Sequence, residues 1–145
     1  MRWFCVPFCG CLCWFASGRD EAKPDKAVEA EHKKLDGEWK IVAAEMGGQK
    51  IESKSTAVFA GAKCTLIDPG FPAVANTIVL DPTKEPKWID VSNPATKTTF
   101  FGIYELKGDT LIATFQAEKE GRPTQFKTKK DGPSVMYTYE RVQKK

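Results

Sequence analysis

Apolar and polar residues alternate in short runs along the chain from Gly37 to its end. In the last run, Tyr137 and Tyr139 share one face of a strand with Arg141, and the polar Thr138 falls on the other face. Alternation with a period of two indicates β-strands that have one face in a core and the other in water. No run in this part of the sequence has the period of an amphipathic helix.

Residues that disfavour strands separate these runs, most clearly in 68–72, which contains two prolines and a glycine, and in 131–133. The predicted strands cover 39–45, 55–59, 63–68, 77–80, 87–91, 98–106, 110–116, 124–127 and 135–142. The sequence therefore predicts an all-β domain of about 8–9 strands, either an antiparallel sandwich or a small antiparallel up-and-down β-barrel. If the first and last strands pair, the sheet closes and leaves no exposed edge.

Residues 1–18 have a different pattern. The positively charged Arg2 precedes an uncharged apolar run over 3–15, and the small residues of 16–18 follow before the charged Arg19. This order is typical of a secretory signal peptide that is removed by cleavage. The apolar run is shorter than the ~18–20 residues that a stable membrane anchor needs. The sequence thus predicts export to the periplasm or the extracellular space, with no transmembrane span.

Two processing routes are open for this signal segment. Cleavage after Gly18 would release a free protein. Alternatively, residues 8–11 resemble a degenerate lipobox, which would place a lipid on Cys11 and anchor the protein in the cell envelope. The residues that follow Cys11 stay apolar, whereas a lipoprotein usually turns polar at that point. The sequence therefore favours the free form.

Charged residues dominate 19–34, which we interpret as a spacer that contains a short helix. Asp25 is a suitable N-cap for a helix over 26–34, and Leu35 follows as the residue that packs beneath the barrel. The single histidine, His32, lies in this segment among charged neighbours. We therefore expect His32 to be solvated and inert.

The composition argues against several functional classes for the predicted barrel domain, residues 35–143. The whole chain has a net charge of only +3, and its lysines are dispersed. Both observations argue against a nucleic-acid partner. Four of the five cysteines lie in the signal segment, so Cys64 is the single thiol of the barrel, and we expect it to be buried and inert.

Few groups in the sequence could perform catalysis. One histidine outside the barrel is incompatible with a Ser-His-Asp or Cys-His site inside it, and one cysteine with one histidine cannot form a usual zinc site. Asp90 and Glu105 are a candidate carboxylate pair, but we expect both to face water. The sequence predicts no catalytic residue, no cofactor and no metal, so we expect a protein that is not an enzyme.

The stretch Gly37-Glu38-Trp39, which follows a short helical cap, resembles the Gly-x-Trp signature of lipocalin-type barrels. The chain is more closely similar to a bacterial, planctomycete-type family of lipocalin-like domains of unknown function. The pieces that carry this resemblance are 35–40, 80–87, 89–90, 102–111 and 122–124. The resemblance implies a barrel in an exported protein, with a basic side chain of the last strand across the tryptophan. Arg141 matches that position, and it would form the barrel floor with Leu35, Gly37 and Trp39.

The resemblance supplies neither a ligand nor a partner, so two functional hypotheses stay open. In the first, the interior binds a small apolar or amphipathic molecule. The candidate contacts are Phe101, Ile103, Phe115, Tyr137 and Tyr139. In the second, aromatic side chains fill the barrel, and an exposed Trp88 anchors a protein partner in the cell envelope. An open cavity above ~300 Å³ would favour the first hypothesis, and a solid interior the second.

Overall fold

A computed structural model of the chain describes residues 25–143, which form nine antiparallel strands and one short helix. The helix, α1, covers Lys26–Leu35. The strands are β1 Gly37–Met46, β2 Gln49–Ile51, β3 Thr56–Ala60, β4 Lys63–Ile67, β5 Val74–Asp81, β6 Lys87–Asn93, β7 Thr98–Lys107, β8 Thr110–Ala117 and β9 Val135–Arg141. A 3-10 turn, Glu118–Glu120, follows β8. The predicted signal segment, its lipobox and the spacer up to residue 24 lie outside the described residues.

Eight of these strands close into a barrel. From β3 to β9 each strand pairs with the next, and β9 returns to pair with β1, where Trp39 lies opposite Arg141 and Met46 opposite Val135. The first residues of β1 pair with β3 on the other side. The strand β2 is additional, since it pairs only with the end of β1. The all-β barrel expected from the alternating pattern is confirmed.

The predicted and the observed strands differ in two places. The strand β2 was not predicted, because three residues are too few to show alternation. It folds back on β1 through Gly47 and Gly48, whose φ angles of +59° and +78° suit a tight hairpin turn. The strand predicted over 124–127 is wrong, because this segment belongs to a loop, 118–134, that crosses the outside of the barrel. Pro123, in the same loop, is buried. An apolar residue in this loop therefore indicates packing of the loop and not pairing in the sheet.

The helix α1 closes one end of the barrel. The side chain of Asp25 accepts a hydrogen bond from the Ala27 amide at 3.1 Å, which fixes the start of the helix. At the other end of the helix, Leu35 is fully buried and Val28 packs against the same core. The helical segment is therefore part of the fold, and its interpretation as a spacer is corrected. Within residues 25–143, no helix combines the length and the apolar character needed to cross a membrane.

Candidate functional site in the barrel interior

One end of the barrel is sealed around Trp39. This side chain is 0% exposed, and its indole Nε1 donates a hydrogen bond to the Leu35 carbonyl at 2.7 Å. The guanidinium carbon of Arg141 lies 4.2 Å from the centre of the Trp39 ring. Gly37 has φ +128°, and a Cβ at this position would come within 3.1 Å of Arg141 Nη1. The structure thus brings Leu35, Gly37, Trp39 and Arg141 together at one end, which we call the floor.

Arg141 also holds the end of α1 against the floor. Its Nη1 donates to the Asp36 carbonyl at 2.8 Å and its Nη2 to the Lys34 carbonyl at 2.6 Å. Carbonyl groups at the C-terminus of a helix lack partners within the helix and carry partial negative charge. The single guanidinium therefore covers the indole and satisfies the helix end.

A buried carboxylate, Glu31, adds a second contact between helix and barrel. It is 4% exposed, and its Oε2 accepts a hydrogen bond from the Tyr104 hydroxyl at 2.9 Å. Its Oε1 accepts from Lys34 at 2.6 Å and from Lys87 at 3.1 Å. Burial raises the pKa of Glu31, but these three donors outweigh burial and leave the pKa below its usual value. Burial, together with Glu31, raises the pKa of Tyr104.

The sequence analysis missed Glu31, although a signal was present. Glu31 lies three residues after Val28 and four before Leu35, which places all three on one face of a helix. The dominance of charge in this segment concealed that face. Polar side chains can join a buried face when donors of opposite charge accompany them.

Above the floor, the barrel encloses a cavity of about 290 Å³ that opens at the opposite end, the mouth. Its deep wall is mostly apolar and consists of Ile41, Phe59, Cys64, Ile89 and Tyr139. Aromatic rings continue the wall towards the mouth, where Tyr137 lies 6.4 Å from Phe115 and 5.9 Å from Tyr139 between ring centres. This volume lies just below ~300 Å³, the lower end of the range of small-molecule sites, so only a small ligand would fit.

Polar groups of the cavity concentrate at the mouth. Ser53 donates a hydrogen bond to Ser55 at 3.0 Å, and the Ser55 hydroxyl donates to the carboxylate of Asp68. Asn76 is only 5% exposed and also lines the cavity, where its amide nitrogen approaches the Val74 carbonyl at 3.5 Å. The cavity therefore combines an apolar interior with hydrogen-bonding groups near its opening.

The phenol groups and the thiol of the wall stay protonated at neutral pH. Burial raises the pKa of Tyr139 well above its usual value, with smaller contributions from Cys64 and Tyr137. Burial and the nearby Asp68 raise the pKa of Tyr137, and burial raises that of Cys64 to about 12. A nucleophilic thiolate is therefore not available from Cys64 near neutral pH.

The five predicted ligand contacts do not form one site. The structure places Phe115, Tyr137 and Tyr139 in the wall of the cavity. Phe101 and Ile103 do not line it, because β7 turns them to the outer face while Phe100 and Tyr104 point inward. Their assignment as cavity contacts is corrected.

The register of β7 has a specific physical cause. A Cβ at Gly102 would lie 2.5 Å from Cδ1 of the Phe115 ring, so this ring packs directly over the glycine. Gly102 therefore faces inward, as do Phe100 and Tyr104. Apolar residues occupy both faces of β7, so the alternation of the sequence alone could not assign the inward face.

Other cavity residues were missed by the sequence analysis. Asn76 precedes Ile78 and Leu80 with a spacing of two, and Asp68 follows Cys64 and Leu66 in the same way. Extending the strand parity to these positions would have placed both side chains inward. Polar residues at inward positions were the available signal for the site.

Loop 118–134 covers the outer face of β7. The guanidinium carbon of Arg122 lies 4.2 Å from the centre of the Trp88 ring and 4.9 Å from that of Phe101. Its Nη1 donates to the Gly102 carbonyl at 2.7 Å, and the same atom lies 2.7 Å from Asp90 Oδ1. Asp90 Oδ1 is buried without hydrogen-bond geometry, so this contact is an ion pair. We call these five residues the outer clasp.

The outer clasp changes the interpretation of two residues. Trp88 is half-buried, with Arg122 on its ring and Lys84 Nζ 4.8 Å from the ring centre, so it is not a bare aromatic anchor. Asp90 lies opposite Phe101 in the register, four residues away from Glu105. The two carboxylates are therefore too far apart to act as a catalytic pair.

Comparisons of the chain with protein-family models, with curated proteins and with solved structures found no match. Within residues 25–143, no three His, Cys, Asp or Glu side chains are grouped so that they could hold a metal ion.

Proposed function

We propose that this protein is a non-enzymatic binding protein that holds a small amphipathic molecule inside its barrel. The single observation that carries the proposal is the cavity of about 290 Å³, sealed by the floor and open at the mouth. At ~30 Å³ for a water-sized group, it accommodates a ligand of about ten non-hydrogen atoms. Eight-stranded barrels have room for one small ligand of this kind.

The distribution of polarity supports a ligand with two different ends. An alkyl chain or ring would lie deep, against Ile41, Phe59 and Ile89. Its polar end would remain near Ser55 and Asp68, where it can exchange hydrogen bonds with the protein and with water. We also propose that the barrel is a lipocalin-like domain, as the resemblance implies, and that resemblance itself names no ligand.

Residues 1–18 support export, and we include it in the proposal. The mature protein would begin at Arg19 and occupy the periplasm or the extracellular space. Intact-mass spectrometry of protein purified from its native source checks the processing route. We expect the mass of the chain from Arg19, whereas a diacylglyceryl group on Cys11 would identify an envelope-anchored lipoprotein.

The alternative function, an envelope module that binds a protein partner through Trp88, has less support. The contacts of Trp88 with Arg122 and Lys84 occupy part of its ring. Hot-spot aromatics at protein interfaces need a free surface that the partner can desolvate. The cavity also counts against the solid interior on which this alternative depends.

Isothermal titration calorimetry with 1-octanol tests the proposed function. Octanol combines an apolar chain with one hydroxyl and contains few enough atoms for the cavity. We expect one octanol bound per protein, with an affinity at least tenfold lower in Cys64→Leu, because the larger side chain enters the cavity. Val79→Leu is the matched control, since Val79 is 61% exposed outside the barrel. An absence of binding to the wild-type protein would overturn the proposal.

A further inference from the structure

The charge of the cavity wall is of one sign. Asp68 is the only ionisable residue with a usual charge at neutral pH among the described residues that line the cavity, and no Lys, Arg or His joins it. Asp68 lies at the mouth, where the polar end of an amphipathic ligand would lie. The site therefore offers a negative charge to that end and no positive charge.

The surroundings of Asp68 leave it able to bind a cation. It accepts one hydrogen bond from Ser55, which in turn accepts one from Ser53. A carboxylate has about four acceptor positions, so capacity remains for another donor. A ligand ammonium group has three N–H donors, and the side-chain oxygens of Asp68 and Ser55 are acceptors of the type it requires.

The aromatic rings near the mouth favour a cation as well. Phe100, Phe115 and Tyr137 line the upper wall. The faces of aromatic rings carry partial negative charge and attract ammonium groups. The negative charge of Asp68 already acts on Tyr137, since it contributes to the raised pKa of that phenol. An anionic head group would meet the same charge with no cation to compensate it.

We infer that the cavity selects amphiphiles whose polar end is an ammonium group, bound by the Asp68 carboxylate at the mouth, and discriminates against carboxylates and phosphates. This inference rests on the proposed function and names the chemical class of its ligand. Selection of this kind combines attraction for one head group with repulsion of the other.

Calorimetric titration with three molecules of equal chain length tests this class. Octylammonium, 1-octanol and octanoate are titrated at pH 7 and low salt into the mature wild-type protein. We expect octylammonium to bind about tenfold or more tightly than octanol, and octanoate to bind more weakly than octanol. Asp68→Asn keeps the shape and the acceptor for Ser55 but removes the charge. In this variant the ratio of the octylammonium affinity to the octanol affinity should fall to about threefold or less.

A matched variant controls for the general loss of one negative charge. Glu38→Gln removes a carboxylate from the exposed side of β1 near the floor and should leave all three affinities unchanged. If octanol binds but octylammonium binds no more tightly, or octanoate binds best, the inference is overturned while the proposed function stands. An unchanged octylammonium affinity in Asp68→Asn, or an equal loss in Glu38→Gln, would also overturn it. A failure of octanol to bind would overturn the proposed function itself.

Discussion

Single residues in the floor connect several parts of the fold at once. Arg141 covers the indole of Trp39 and donates hydrogen bonds to two carbonyls at the end of α1. Its Nε also lies 3.2 Å from Asp109 Oδ1. Glu31 joins α1 to β6 and β7 through Lys87 and Tyr104. Because each side chain has partners in distant segments, substitution of either should affect the stability of the whole domain.

Replacement of Trp39 by alanine should lower the free energy of unfolding by about 3–5 kcal/mol, since it removes a fully buried side chain and leaves a cavity. Trp39→Phe should cost less, because it keeps a ring beneath Arg141 and loses the hydrogen bond to Leu35. Urea unfolding followed by circular dichroism measures both changes. A urea unfolding curve of Trp39→Ala equal to that of the wild type would show that Trp39 does not form the floor of the barrel.

Glu31 should make stability depend on pH. Its pKa in the folded state lies below its ordinary value of 4.5, so its contribution is present above about pH 4.5 and is lost as the pH falls through the folded pKa. We expect Glu31→Gln to be less stable than the wild type by about 1–3 kcal/mol at pH 7, and by progressively less as the pH falls below 4.5. Urea titrations at pH 7 and at a series of pH values below 4.5 measure this difference. A difference that is independent of pH would contradict the assigned role.

At the scale of elements, the alternation of apolar and polar residues was sufficient to assign the faces of a strand where one face contacts water. It was insufficient where both faces are covered. The strand β9 follows its predicted range closely, because Thr138 and Glu140 mark its outer face. In β7, Ile103 is buried on the outer face between Trp88 and Thr114, so apolar residues occupy both faces. Which face points inward depends on the packing of Phe115 over Gly102, a contact between strands that no local pattern contains.

The outer clasp should hold the start of loop 118–134 on the barrel. Arg122→Ala removes its ion pair with Asp90 and its contacts with two rings. We expect hydrogen exchange of the Gly121 amide, which is bonded to the Glu118 carbonyl, to become about tenfold faster, equivalent to ~1.4 kcal/mol. Lys119→Ala, an exposed neighbour in the same loop, is the control. Equal exchange in both variants would exclude a role for the clasp.

At the scale of the whole molecule, the two ends of the barrel differ in what the sequence reveals. The floor could be anticipated because Gly37, Trp39 and Arg141 are unusual residues at recognisable positions. The mouth could not, because Ser53, Ser55 and Asp68 are common surface residue types whose grouping depends on the fold of the barrel. Closure brings together strands that are far apart in sequence, so the cavity is a property of the complete fold.

Binding in the cavity should stabilise the entire domain. A ligand that binds only the folded state adds about 2.7 kcal/mol at a concentration of one hundred times Kd. We therefore expect saturating octanol to raise the melting temperature of the wild-type protein by several degrees, as measured by differential scanning calorimetry. The same concentration should have a much smaller effect on Cys64→Leu. An equal rise in both proteins would indicate that octanol stabilises the fold from a site other than the cavity.

The positions of the aromatic residues also determine which optical signals can report on the interior. Trp39 lies in the floor and Trp88 in the outer clasp, and neither lines the cavity, whereas Tyr137 and Tyr139 do. Indole emission from the barrel thus reports on its sealed end and its flank. A bound molecule should leave that emission nearly unchanged and alter the near-ultraviolet circular dichroism of the phenol rings. A screen that follows tryptophan fluorescence alone would miss a molecule that binds in the cavity.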